Sequence, residues 1–184
     1  ADGVSKEING LDLEHAHARE EARKLGYDSN HFDTVVLRLS GGPRSDVGGW
    51  GGGTSVWTYG ASPSVAAHEI GHCFGLLHAN FWDTGGASAI GPGGNQEYGD
   101  VFDIMGGGQG SIMGHHNAQA KSQIKWLPGE VVQTVTTSGT YRIYAFDQSL
   151  IDATRRYALK IAKDVQRTYW GEVRTQFDAV NKWA

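Results

Sequence analysis

The segment His68–His78 constrains this chain more than any other, because it carries three histidines, a glutamate and a glycine at fixed spacing. On a helix, residues four apart lie on one face, so His68 and His72 can direct two imidazoles at one metal ion. Gly75 can adopt the left-handed conformation that ends a helix, which lets the chain turn back and His78 supply a third imidazole. Three imidazoles leave a fourth position for water, as is typical of a catalytic zinc site.

Glu69 lies one step round the predicted helix from His68. That position brings its carboxylate within reach of a metal-bound water without making it a metal ligand. The alternative interpretation is a helix with ordinary core histidines. Five fixed positions recur by chance in about one in 100,000 chains of average composition, so the spacing favours the zinc site.

The composition indicates a globular protein without a basic surface for a polyanion. The chain has 184 residues, of which 39% are hydrophobic and 20% charged, and its formal net charge is −4. These values predict a domain with a real core and argue against nucleic acid as a partner. No apolar run is long enough for a membrane span, and no signal peptide is recognisable. Cys73 is the single cysteine, and we expect it to be a small packed residue of the zinc helix.

Periodicity and capping residues predict the secondary structure. The predicted helices span 11–25, 63–74 and 117–126, and the predicted strands span 34–39, 54–59, 131–135, 139–144, 157–161 and 168–174. The stretches 40–53 and 79–114 show no periodicity and are interpreted as loops. We therefore expect an α/β (α+β) domain, 1–128, with a mixed sheet and the zinc helix, followed by a β-rich segment, 129–184. We expect this last segment to be truncated, because the chain stops soon after a strand.

The segment His68–His78 is similar to the long zinc motif of the metzincin metallopeptidases. Metzincins also have a Met-turn, a tight turn that places a methionine beneath the zinc, downstream of the third histidine. Met105 and Met113 both lie in that direction. The aspartate-rich run before Met105 is more similar to the residues that precede the Met-turn in the family, so Met105 is favoured. Met113 would also place a polarisable, apolar side chain beneath the zinc.

Within the metzincins, the chain most resembles the gametolysin family over residues 34–174. Besides the zinc motif and its extension into Ala79-Asn80, the supporting pieces are Gly48-Gly49-Trp50, Tyr98-Gly99-Asp100, His116-Asn117-Ala118 and Lys125-Trp126-Leu127. Two positions depart from related families. Asn80 replaces the aspartate that follows the third histidine in some other metzincins. Gly107 stands where astacin-like and serralysin-like members have a tyrosine, so the resemblance does not supply a second oxyanion-stabilising group.

The resemblance implies a secreted zinc metalloendopeptidase (EC 3.4.24 type) of metzincin-like fold, whose partner is a protein or peptide substrate. His68, His72 and His78 would hold Zn²⁺. Glu69 would be the general base that takes a proton from the attacking water and passes it to the leaving amine. The strand 54–59 would be the edge strand that pairs with an extended substrate. Residues 106–115 would wall the pocket for the side chain after the scissile bond.

Two other functions stay open on the sequence. One is a catalytically silent zinc-binding or adhesion module on the same fold, against which the intact Glu69 argues. The other is a zinc aminopeptidase with a glutamate as the third ligand, which the spacing of His78 disfavours.

Two further groups of polar residues lie downstream of the zinc motif. A Ca²⁺ site is one hypothesis for Asn95, Glu97, Asp100 and Asp103, although a solvated loop is the more usual role of such residues. His115 and His116 are interpreted as a polar entry to the following helix, because three metal ligands are already supplied.

Overall fold

The computed structural model describes residues 3–40, 48–60, 62–86, 88, 91–107, 115–147 and 150–175. The fold is mixed α and β, with few helices and small sheets among the described residues, as the sequence predicts at this level. The chain divides into two compact units, 1–75 and 76–184. This division falls earlier than the predicted boundary after residue 128, which stays a prediction.

The first unit combines two helices with a three-stranded sheet in its described part. Its elements are α1 (Gly3–Lys24), a one-turn 3₁₀ helix (Ser29–His31), β1 (Val35–Leu39), β2 (Gly49–Gly52), β3 (Ser55–Tyr59) and α2 (Pro63–Cys73). The strand order is β1-β3-β2, with β1 parallel and β2 antiparallel to β3. Both predicted helices and both predicted strands are confirmed, and α1 begins earlier than predicted. The strand β2 was missed because glycine has low β propensity.

The central strand of this sheet is β3. Its Trp57 is paired with Leu37 of β1 on one side and with Trp50 of β2 on the other. The expectation that strand 54–59 is the edge strand is therefore wrong, because both of its hydrogen-bonding sides are used. An edge position of the described sheet belongs instead to β2.

Glycines allow β2 and α2 to approach closely. A Cβ atom at Gly49 would lie 2.7 Å from the carbonyl oxygen of Trp57 and 2.9 Å from Cγ of Glu69. A Cβ atom at Gly51 would overlap the backbone carbonyl of Glu69. Because Gly49 and Gly51 have no side chains, the backbone of β2 packs directly against the turn of α2 that carries Glu69.

The helix α1 contacts the sheet through a buried histidine. His15 is 3% exposed, and its ring lies edge-on against Trp57 with ring centroids 4.7 Å apart. Its Nε2 lies 3.2 Å from the carbonyl oxygen of Val56. A hydrogen bond of this kind satisfies one nitrogen of a polar ring inside a core, so His15 has a structural role in this unit.

The second unit contains a short hairpin, one helix and a three-stranded sheet among its described residues. Its elements are β4 (Phe81–Asp83), β5 (Gly94–Gln96), α3 (Ala118–Gln123), a one-turn 3₁₀ helix (Gly129–Val131), β6 (Val132–Val135), β7 (Ala158–Ala162) and β8 (Thr168–Glu172). The larger sheet has the order β6-β7-β8, with β6 parallel and β8 antiparallel to β7. The strands β4 and β5 pair antiparallel within the stretch interpreted as a loop, where three-residue strands are too short to show alternation.

The predicted elements of this unit are largely confirmed, with one exception. Asn117 caps α3 as predicted, since its Oδ1 accepts a hydrogen bond from the Ala120 amide at 2.8 Å. The predicted strand 139–144 is wrong, because that segment does not form a strand. Its residues alternate between apolar and polar as in a strand, but a strand also needs a ladder of hydrogen bonds to a neighbouring strand. Here the Tyr144 amide donates one hydrogen bond to the carbonyl of Arg156, and no ladder forms along the segment.

A hydrophobic cluster joins the start of α3, and the segment after this helix, to the following strands. Its buried members are Ala118, Leu127, Val131, Phe146, Tyr157 and Ala158.

The Nζ atom of Lys121 lies 4.4 Å from the centroid of the Phe146 ring. Burial, together with the charge of Arg174, lowers the pKa of Lys121 to about 8.

Gly51→Ala should destabilise the protein by about 1–3 kcal/mol, because the new methyl group must displace α2 from β2. Gly52→Ala is the matched control, since a Cβ atom there meets nothing within 4 Å. We expect that control to stay within about 0.5 kcal/mol of the parent protein. Urea unfolding measures both values, and equal unfolding midpoints for the two variants would contradict the close approach.

The stability of the protein should rise with pH between about 8 and the ordinary lysine value of about 10.4, because Lys121 holds its proton less tightly in the folded chain than in the unfolded chain. Lys121→Met should remove that part of the rise, whereas Lys160→Met, at an exposed position on β7, should keep it. Thermal unfolding at about pH 7.5 and about pH 10 tests the difference. Identical pH profiles for the parent protein and Lys121→Met would refute it.

Candidate metal centre

The helix α2 places the first two histidines of the zinc motif. It begins where the sequence predicts, with Ser62 as N-cap and Pro63 at the first position. His68 and His72 lie one turn apart on this helix, and their rings meet edge to face with centroids 4.9 Å apart. His68 is 3% exposed, so the first imidazole is held inside the protein.

The chain reverses at Gly75, as the sequence predicts. The amides of Phe74 and Gly75 close the last turn of α2, and Gly75 donates to the carbonyl of His72 at 2.9 Å. The φ angle of Gly75 is +81°, in the left-handed region that glycine adopts at low cost. The segment that carries His78 follows directly.

His68, His72 and His78 form a group that could hold a metal ion. Their ligand atoms all lie within 4.8 Å of one another, within the continuous segment 68–78. Bonds of about 2.1 Å at tetrahedral angles require nitrogen atoms about 3.4 Å apart, so small side-chain rotations bring the group around an ion. It is the one group of three or more histidine, cysteine, aspartate or glutamate side chains with this geometry among the described residues.

Glu69 is a buried carboxyl on the same helix. It is 7% exposed and lies against the glycines of β2. Burial raises the pKa of Glu69 to about 7. A carboxyl with such a pKa can exchange a proton near neutral pH, which is the property that a general base requires.

Met105 lies in a buried cluster with Leu76, Ile104 and Ala120, and is 1% exposed. Its carbonyl oxygen accepts a hydrogen bond from the amide of Ala79 at 2.9 Å. The turn at Met105 is therefore bonded to the residue that follows His78. Met113 lies outside the described residues, and the assignment of Met105 to a Met-turn stays a prediction.

Asp103 fixes the backbone around this turn. It is fully buried, and its carboxylate accepts hydrogen bonds from the amides of Met105 at 2.6 Å and Asn117 at 2.5 Å. Burial alone would raise its pKa, but the neighbouring His116 and the hydrogen bonds from the amides of Asn117 and Met105 hold the pKa of Asp103 below its usual value. The Asp103 carboxylate thus links the backbone at Met105 to the backbone at Asn117 through hydrogen bonds.

Two neighbouring side chains contact the third histidine. Glu97 Oε1 lies 2.7 Å from Nδ1 of His78, and the Tyr98 hydroxyl lies 2.8 Å from its Nε2. A carboxylate on one ring nitrogen of a histidine orients the other nitrogen toward a metal. These contacts were not predicted, because Glu97 and Tyr98 lie about twenty residues from His78 along the chain. The one sequence feature that pointed to this region was Tyr98-Gly99-Asp100, which served only as support for the family resemblance.

The four residues considered for Ca²⁺ have individual roles in the structure. Glu97 contacts His78, Asp103 binds backbone amides, and Asp100 accepts from the Phe102 amide and the Asn117 side chain. Asn95 lies in the exposed strand β5. A calcium site there stays a prediction.

The remaining candidate residues are not part of the histidine group. His116 is buried, with Nδ1 3.8 Å from Asp103 Oδ1 and its ring against Trp126. Burial lowers the pKa of His115 to about 4. Cys73 donates to the carbonyl of Ser55 at 3.7 Å, and burial raises the pKa of its thiol, which disfavours a reactive thiolate.

Comparisons with protein-family models, with curated proteins and with solved structures found no match to this chain. No helix in the described part of the chain combines the length and apolar character needed to cross a membrane.

The protein should bind one equivalent of zinc, and His72→Gln should weaken that binding by more than about 100-fold, beyond the 10–100-fold typical of losing an outer-shell partner. His17→Gln is the control, because that side chain is 78% exposed on α1. Competition with a chromophoric chelator gives the dissociation constants. At free zinc 100-fold above the dissociation constant, the parent protein should gain about 2.7 kcal/mol of stability. Zinc binding by His72→Gln as tight as that of the parent protein would rule out this group.

Proposed function

We propose that the protein is a zinc-dependent endopeptidase of metzincin type, resembling the gametolysin family, with Glu69 as general base. One observation carries the proposal. The ligand atoms of His68, His72 and His78 lie within 4.8 Å of one another, and the helix that supplies two of them also carries the buried carboxyl of Glu69. A metal site with an adjacent base is the arrangement that peptide hydrolysis needs.

Zinc is the metal that best fits the donor set. Imidazole ligands suit several transition metals, but three imidazoles with an open position are typical of catalytic zinc. Bound zinc would lower the pKa of water and polarise the substrate carbonyl. The three histidines would hold the ion, and Glu97, on Nδ1 of His78, would keep the third imidazole in the tautomer that binds metal through Nε2.

Glu69 would transfer the proton. Its carboxylate would accept a proton from the water that attacks the peptide carbonyl and then donate that proton to the leaving amine. The position of Glu69 supports this role, because its buried carboxyl directly follows His68 on the same helix. The glycines of β2 support it further by holding the backbone of Glu69 in place.

An extended peptide could bind along β2. This strand is an edge of the described sheet and lies against the helix turn that carries Glu69. Addition of a strand at a sheet edge is a common mode of peptide recognition. The exposed side chain of Trp50, 47% accessible, would lie beside such a peptide. We infer an extracellular location from the resemblance alone.

A catalytically silent zinc-binding module is the second candidate function. The same three histidines would support it, and the intact, buried Glu69 argues against it. Hydrolysis of an end-blocked, internally quenched peptide, with and without chelator, separates the two. End-blocked substrates also separate an endopeptidase from an aminopeptidase.

Glu69→Gln should keep zinc but lower kcat/KM on the quenched peptide by several orders of magnitude, because the amide cannot accept the proton. Glu130→Gln, at an exposed position, is the control and should retain full activity. Zinc content by atomic emission and initial rates give the two readouts. Retained zinc together with near-parental hydrolysis in Glu69→Gln would exclude Glu69 as the base.

A further inference from the structure

Tyr98 lies beside the third histidine in an unusual way. Its ring stacks on that of His78 with centroids 3.9 Å apart and an angle of 33° between the planes. Its hydroxyl lies 2.8 Å from Nε2, while Glu97 lies on Nδ1. Because Glu97 uses Nδ1, Nε2 is the nitrogen that faces a metal ion. The phenol is therefore next to the ligand atom itself.

This contact limits the distance between the phenol and the metal. An ion bound to Nε2 of His78 at about 2.1 Å lies within about 5 Å of the Tyr98 hydroxyl oxygen, whatever the angle between the two directions. Tyr98 is 38% exposed, so part of this residue is accessible from solvent.

The backbone of Tyr98 is strained and held by the segment that follows His78. Its φ angle is +59°, in the left-handed region that residues other than glycine seldom adopt. The Tyr98 amide donates to Oδ1 of Asn80 at 3.1 Å, and the Asp100 amide donates to the carbonyl of Ala79 at 3.2 Å. Strained backbone of this kind is concentrated at functional sites. Asn80, which stands where some other metzincins have an aspartate after the third histidine, thus anchors the backbone of Tyr98.

Gly107 lies next to this tyrosine. A Cβ atom at Gly107 would lie 3.3 Å from the carbonyl oxygen of Tyr98. The position where other metzincin families have a tyrosine therefore neighbours the backbone of Tyr98, and here it has no side chain.

We propose that Tyr98 is a catalytic residue of this centre, whose hydroxyl donates a hydrogen bond to the oxyanion formed from the substrate carbonyl. The proposal rests on the proposed function. A preorganised donor of this kind strengthens its bond as charge develops on the oxygen, and its loss typically lowers kcat by about 10²–10³-fold. No proton leaves Tyr98 in this role.

The test compares Tyr98→Phe with the parent protein, and Tyr27→Phe, at an exposed tyrosine, is the matched control. Three quantities are measured: the zinc dissociation constant, kcat and KM on the quenched peptide, and the affinity of the zinc-loaded protein for an end-blocked phosphinic peptide. The phosphinic group mimics the tetrahedral oxyanion, and its calorimetric affinity does not depend on activity. For Tyr98→Phe we expect zinc affinity within about threefold of the parent, kcat lowered about 10²–10³-fold at similar KM, and phosphinic affinity lowered by a similar factor.

Two results would overturn the proposal. One is a Tyr98→Phe protein with parental kcat and parental phosphinic affinity. The other is a loss of zinc affinity alone, with parental kcat at saturating zinc, which would make Tyr98 a support for His78. A parent protein that binds zinc and the phosphinic peptide without hydrolysing peptides would contradict the proposed function, while the phosphinic affinity of Tyr98→Phe would still decide the role of its hydroxyl.

Discussion

The left-handed turn at Gly75 is the constraint on which the group of His68, His72 and His78 depends. A helix can bring two imidazoles together at a spacing of four residues, but it cannot bring a third from six residues further on. The φ angle of +81° at Gly75 ends α2 and sends the chain back. A Cβ atom there would meet nothing within 4 Å, so the constraint is the backbone conformation rather than a lack of space.

The turn alone does not hold His78 in place; the loops of the second unit do. Ala79 is bonded to the carbonyl of Met105, and Glu97 and Tyr98 contact the two ring nitrogens of His78. Asp103 in turn fixes the backbone of Met105. The long stretch without periodicity thus supplies the groups that orient the third histidine. Loops longer than about fifteen residues are uncommon unless they have such a role.

Glycine has two different roles in the first unit. At Gly75 it provides a conformation, whereas at Gly49 and Gly51 it provides space. The glycine-rich stretch is therefore only partly a loop, because its end forms the strand β2, against which α2 packs. The same strand occupies an edge of the described sheet and leaves β3 in the centre. Composition distinguishes poorly between these roles, since a glycine in a turn and a glycine under a helix look alike in a sequence.

The sequence by itself determined the parts of this protein that depend on near neighbours. The cap at Ser62, the spacing of His68 and His72 and the turn at Gly75 each involve residues within one or two helical turns. The tertiary structure decided the parts that depend on distant partners: the order of the strands, the absence of a strand at 139–144, and the contacts of Glu97 and Tyr98 with His78. The physical reason is that a strand or a side-chain hydrogen bond is completed by a group far along the chain. Only the packed fold specifies that group.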